Sequence, residues 1–146
     1  MTMTVNGRSM MPLLRPDDQI VIEAVQLDQL AIGDIITVVH QKSLLTHRFW
    51  GFSVGEDDVV YLHTCGERPF HQDPVTAVHN LVGRVVQRKR QMRVLNLQTG
   101  KGKWINQHFI LLLKLEKRLC KRHSIWSKII QRIINQWRYL VATIIN

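Results

Sequence analysis

A chain of 146 residues that is 45% hydrophobic and 21% charged has apolar material for one core and hardly for two, which excludes a multidomain machine. With 8 Gly and 4 Pro it is neither low-complexity nor collagen-like, and it is too apolar for a disordered chain. The net charge of +9 hides a split: residues 1–86 hold 6 Lys+Arg against 10 Asp+Glu, a net of −4, while residues 87–146 hold 14 against 1, a net of +13. A segment so rich in cations should attract lipid headgroups or nucleic acid, unless it covers the acidic half of its own chain.

In chain order, short β-branched runs bounded by turn formers predict strands at 19–25 (QIVIEAV), 34–40 (DIITVVH), 44–50 (LLTHRFW), 58–64 (DVVYLHT), 81–87 (LVGRVVQ) and 91–97 (QMRVLNL). Pro69 and Pro74 put residues 66–75 in a loop, since each proline removes a donor and restricts its predecessor. After Gly100 and Gly102 the apolar period changes to that of a helix. Trp104, Leu111, Leu112, Leu115 and Leu119 share a face with His108, and a second series follows with Trp126, Ile129, Ile130, Ile133, Ile134, Trp137, Leu140, Val141 and Ile144. His123 and Ser124 separate the two helices, with Ser124 as N-cap. The reading is a β unit over 1–98 and a basic helical tail over 99–146.

The tail's polar face holds Lys128, Arg132, Asn135 and Arg138 opposite Ile, Leu and Trp, a pattern for a helix lying in a bilayer surface or docked on protein. Residues 104–145 are therefore expected to bind a membrane peripherally, or else to pack on the β unit. Nucleic acid fits poorly, because it calls for exposed aromatic and polar groups rather than a whole aliphatic face. No run approaches the roughly 18–20 apolar residues of a membrane span, and Arg8 arrives before a signal-sequence core could form. The expected location is cytoplasmic or peripheral to a membrane. Cys65 and Cys120 lack C-x-x-C spacing and are expected as reduced thiols. His63, Cys65, His71 and His79 fit no standard zinc spacing, and no glycine-rich phosphate cradle occurs, so neither metal nor cofactor is expected.

The most informative stretch is VNGRSMMPLL, residues 5–14. A serine needs a base within hydrogen-bond reach and a turn that exposes its oxygen. Gly7 before Ser9 and Pro12 after it supply the turn. There follow, in order, PLLRPDDQIVIE, LAIGDIITVV, LLTHRFW, the TCGERPFHQDPV loop and LVGRVV. This succession resembles the LexA and signal peptidase superfamily of serine peptidases, with its G-x-S-M-x-P motif, G-D turns before strands, K-R or H-R base motif, loop with a later Asp, and closing G-[RK]-V. The likeness runs from residue 5 to about residue 88.

The resemblance implies a mainly β fold, the coiled β barrel of that superfamily, here followed by a pair of amphipathic helices. It implies Ser9 as nucleophile, His47 of T-H-R as general base, Asp73 as the acid that orients His47, and the Ser9 N–H as oxyanion donor. His47 is similar to the histidine branch of a superfamily that more often uses lysine. Histidine titrates near neutrality without desolvation and needs an acid to fix its tautomer. Glu67 stands where the family usually has Asp and is a second candidate acid or a supporting residue, with Arg48 beside the base. Met10 is expected to pack below the site.

The chain departs from the pattern at Pro16-Asp17-Asp18, where a glycine is lost, and at Cys65, Glu67, Arg68 and Pro69. Eight residues precede Ser9, without the span of anchored signal peptidases or the DNA-binding part of LexA-like repressors. The implied activity is cleavage of a leader or precursor peptide with small residues before the scissile bond. The alternatives are a degraded peptidase fold serving as a binding module and a self-cleaving regulator.

Overall fold

A computed structural model describes residues 1–67, 73–119 and 125–143. The strands are β1 (Thr2–Thr4), β2 (Gln19–Glu23), β3 (Ile35–His40), β4 (Ser43–Val54), β5 (Val60–Cys65), β6 (Thr76–Ala77), β7 (Leu81–Arg90) and β8 (Arg93–Asn96), followed by helices α1 (Gly100–Leu119) and α2 (Ile125–Thr143). The described residues are mainly β: an antiparallel sheet of 8 strands in the order β1-β2-β7-β3-β4-β5-β6, with β8 on β7. The terminal strands of that order do not pair with each other, so the described sheet is open rather than closed into a barrel.

All six expected strands are present, and two shorter ones, β1 and β6, join them. Within β2 the alternation is direct, with Ile20 and Ile22 buried between exposed Gln19 and Glu23. Gln41 and Lys42 both adopt positive φ, the geometry of a tight hairpin turn, and let β4 fold back on β3 in the register His40↔Ser43. β4 runs past the expected end at Trp50, because a register shift at Phe49/Gly51 lets Gly51–Val54 continue against β5. β7 likewise continues through Arg88-Lys89-Arg90, where Arg88 is buried.

One core joins the β unit to the helices: Met10, Leu13 and Leu14 pack in the same cluster as Ile105 and Phe109 of α1 and Val141 of α2. Among the described residues of the expected apolar rows, Leu112, Ile134 and Val141 are buried and the others are not. α1 turns Ile105, Phe109, Leu112 and Leu113 inward and leaves Trp104, Leu111 and Leu115 exposed. α2 buries Ile134, Arg138, Val141 and Ala142 and exposes Ile133, Trp137 and Leu140, so Arg138 is not on a solvated polar face. Gly102 permits the close approach of α1 to β8: a Cβ there would lie 1.8 Å from the Asn96 carbonyl oxygen. Among the described residues no helix is long and apolar enough to cross a membrane. The Ser124 cap, Cys120, His71, Arg68 and Pro69, and the side chain of Trp126, lie outside what is described.

Candidate active site

The turn that presents Ser9 is built from its flanks. Buried Met10, Leu13 and Leu14 anchor it, the Leu14 N–H donates to the Met10 carbonyl at 2.9 Å, and the Met11–Pro12 bond is cis. From β7, Arg88 donates to the Leu13 carbonyl at 3.1 Å, and Arg90 grips both oxygens of Asp18 at 2.7 Å. Thus the basic run after residue 87 partly serves as staples for the serine turn, since a guanidinium fork matches a carboxylate. Ser9 itself is left half-buried.

His47 enters from β4, paired with Ile36 of β3. Its Nε2 lies 2.7 Å from Ser9 Oγ and its Nδ1 lies 2.6 Å from Asp73 Oδ2. A carboxylate accepts and does not donate, so Nδ1 carries the hydrogen of the neutral ring and Nε2 is free to accept the Ser9 hydroxyl proton. Thr64 Oγ1 donates to the same Asp73 oxygen at 2.7 Å, and the Asp73 N–H donates to the Thr64 carbonyl at 3.0 Å. Burial pushes the Asp73 carboxyl up, but the bonds from His47 and Thr64 outweigh it and hold Asp73 below the ordinary carboxylate value.

Glu67 is directed elsewhere. Its carboxylate meets Arg48 Nη2 in a pair sealed from solvent on both sides, and Arg48 also donates to the Gly33 carbonyl at 2.6 Å and to Asn106 of α1. Burial pushes the Glu67 carboxyl up, opposed by the Arg48 charge, and Glu67 Oε2 has no hydrogen-bond partner among the described residues. Of the two candidate acids, Asp73 is the one against His47. The Glu67 backbone nevertheless touches the site, its N–H donating to the Ser9 carbonyl at 2.7 Å. Gly66 makes room for this: a Cβ there would lie 3.3 Å from the Ser9 carbonyl oxygen and 3.5 Å from His47 Cε1.

Behind this segment α2 contributes Arg138, which is buried and donates to the Glu67 carbonyl at 2.9 Å and to Glu116 of α1 at 2.6 Å. Nothing in the sequence marks Thr64, Gly66 and Arg88 for this site, and Arg138 stands there only as part of the tail's expected polar face. The partners of Arg88 and Arg138 are far along the chain. Of the residues weighed as metal ligands, His63 bonds Ser53 at 2.8 Å and Cys65 is buried, its thiol pushed up to about 11 by burial. Among the described residues no group of three or more His, Cys, Asp or Glu is placed to hold a metal ion.

No family model, curated protein or solved structure compared with this chain matches it. Beside Ser9 opens a pocket of about 150 Å³, lined by Met3, Val5, Met10, Leu44 and Leu45 among others. β4 pairs with β5 from Arg48 onward, and among the described residues the β4 edge away from β3 has no partner strand at residues 44–46, which line this pocket.

Proposed function

We propose that this chain is a serine endopeptidase of the signal-peptidase type that cleaves a leader or precursor peptide. The observation that carries the reading is the unbroken relay of contacts from Ser9 Oγ to His47 Nε2 at 2.7 Å and from His47 Nδ1 to Asp73 at 2.6 Å. Ser9 Oγ attacks the scissile carbonyl as its proton passes to Nε2. Asp73 stabilises the imidazolium so formed, and the proton then goes to the leaving amine as the C–N bond breaks. Water, activated by the same imidazole, hydrolyses the acyl-enzyme and restores Ser9. The Ser9 N–H is the oxyanion donor, a role typically worth about 3 kcal/mol to the transition state.

An extended substrate would lie against the β4 edge at residues 44–46, its main chain adding to the sheet. The small, largely apolar-lined pocket beside Ser9 favours a small side chain before the scissile bond. In this reading the open eight-stranded sheet is a form of the superfamily's coiled β barrel, and Arg48, Glu67 and Gly66 are the frame that holds His47 and Ser9.

The test is a pool of peptides with varied small residues, incubated with protein and read by mass spectrometry. Wild type is expected to cut a subset, whereas Ser9→Ala and His47→Ala leave all peptides intact with the fold unchanged by circular dichroism. Equal cleavage by the variants would overturn the mechanism. Loss-free peptide binding without cleavage by wild type would favour the binding module, and a shortened chain in purified protein would favour the self-cleaving regulator.

A further inference from the structure

We propose that the exposed face shared by α1 and α2 docks on an anionic lipid surface. On α1, Trp104, Leu111 and Leu115 stand 54%, 57% and 48% exposed; on α2, Ile133, Trp137 and Leu140 stand 59%, 49% and 53% exposed. His108 joins the two rows, stacked on Trp104 with ring centroids 4.8 Å apart and accepting from Trp137 Nε1 at 3.3 Å. The result is one apolar surface across both helices rather than scattered side chains.

Charge decides the occupant. Lys101, Lys103, Lys114, Arg118, Lys128 and Arg132 are exposed on the same helices, while the one acidic residue after position 86, Glu116, is buried against Arg138. Apolar rows edged by cations that form no ion pair among the described residues, with indole rings half wet, match the headgroup boundary of an anionic bilayer. A second copy docking face to face would instead bring like charges together. Beside the face, a hollow of about 500 Å³ lined in part by Arg132 and Gln136 offers donors to a headgroup.

The full chain should sediment with phosphatidylglycerol-containing vesicles and not with pure phosphatidylcholine, with a blue shift in tryptophan emission. The exposed pair Leu111→Gln/Ile133→Gln should weaken this by about tenfold, as lost apolar contact predicts, without changing the fold. Indifference to lipid charge or to the double variant would overturn the proposal. So would a wild-type dimer that the double variant converts to monomer, because the face would then be a self-interface.

A different observation supports a second inference, which rests on the peptidase reading: the geometry assigns Arg138 as a remote positioning residue for Ser9. Its guanidinium holds the Glu67 carbonyl at 2.9 Å, and the Glu67 N–H holds the Ser9 carbonyl at 2.7 Å, so α2 restrains the nucleophile's own peptide unit through one intervening residue. Arg138→Met alone leaves Glu116 buried without its cation and risks unfolding. The double variant Arg138→Met/Glu116→Leu removes both charges and keeps an apolar fill.

In that double variant the Glu67 amide should exchange with solvent about tenfold faster, while sheet amides such as Val85 are unchanged, and kcat for a cleaved peptide should fall about tenfold with KM unaltered. Unchanged Glu67 exchange would overturn the positioning role whether or not the protein is a peptidase. Faster exchange with kcat unmoved would overturn its link to Ser9. Absence of cleavage by wild type would instead strike the peptidase reading, and the exchange result would still decide whether Arg138 restrains this segment.

Discussion

His47 and Arg48 are neighbours on one strand and meet opposite surroundings. His47 faces the cleft, where its partner Asp73 keeps 14% of its side chain exposed, whereas Arg48 faces inward to Glu67 with neither side chain exposed. The cleft pair keeps access to solvent, which the proposed peptidase chemistry needs for a proton and a substrate. The inner pair exchanges nothing with solvent, and its value lies in fixing Gly33, Asn106 and the Glu67 segment relative to β4. Two acid–base contacts of similar chemistry thus take different tasks because of what surrounds them.

Substitution on each side should separate these tasks. Asp73→Asn keeps the shape of the cleft but removes the charge that sets the His47 tautomer, and peptide cleavage should fall by roughly a thousandfold or more with little change in melting temperature. Arg48→Met should do the reverse in kind: Glu67 is left buried without its cation, and denaturant unfolding should show a loss of about 3 kcal/mol. If Arg48→Met left stability untouched, the inner pair would not hold this frame together.

The acid limb of the stability profile gives a smaller effect. Asp73 has its folded pKa lowered, so its contribution is present above the ordinary carboxylate value and is lost as pH falls through the lowered value. Thermal melts across acidic pH should therefore show a shallower acid-side slope in Asp73→Asn than in wild type. Smaller still is the response of the Cys65 thiol, raised to about 11 by burial beside the inner pair. At pH 8 it should resist alkylation in the native protein and react on unfolding, as peptide mapping would show.

Much of the fold was legible because β-branched runs and turn formers are local signals, and the six longer strands appear where they predict. β1 and β6, of three and two residues, are too short for a period to show. The helices were legible as helices but not as oriented ones: both are apolar on more than one side, and only the core shared with Met10 and Leu14 selects Ile105, Phe109 and Val141 as the inward residues. Ser9, His47 and Asp73 stood out through motif order. Arg138 did not, since its bond to the Glu67 carbonyl spans 71 positions and its neighbours resemble a solvated basic face.

In the peptidase reading His47 makes the Ser9 hydroxyl a nucleophile, and covalent trapping probes that step. Wild-type protein treated with a pool of peptide boronic acids should carry a tetrahedral boronate on Ser9 Oγ, located by mass spectrometry and seen by boron NMR, and His47→Ala should carry none. An adduct formed equally well in His47→Ala, or an unmodified Ser9 in wild type that still cleaves peptides, would rule out activation of Ser9 by His47.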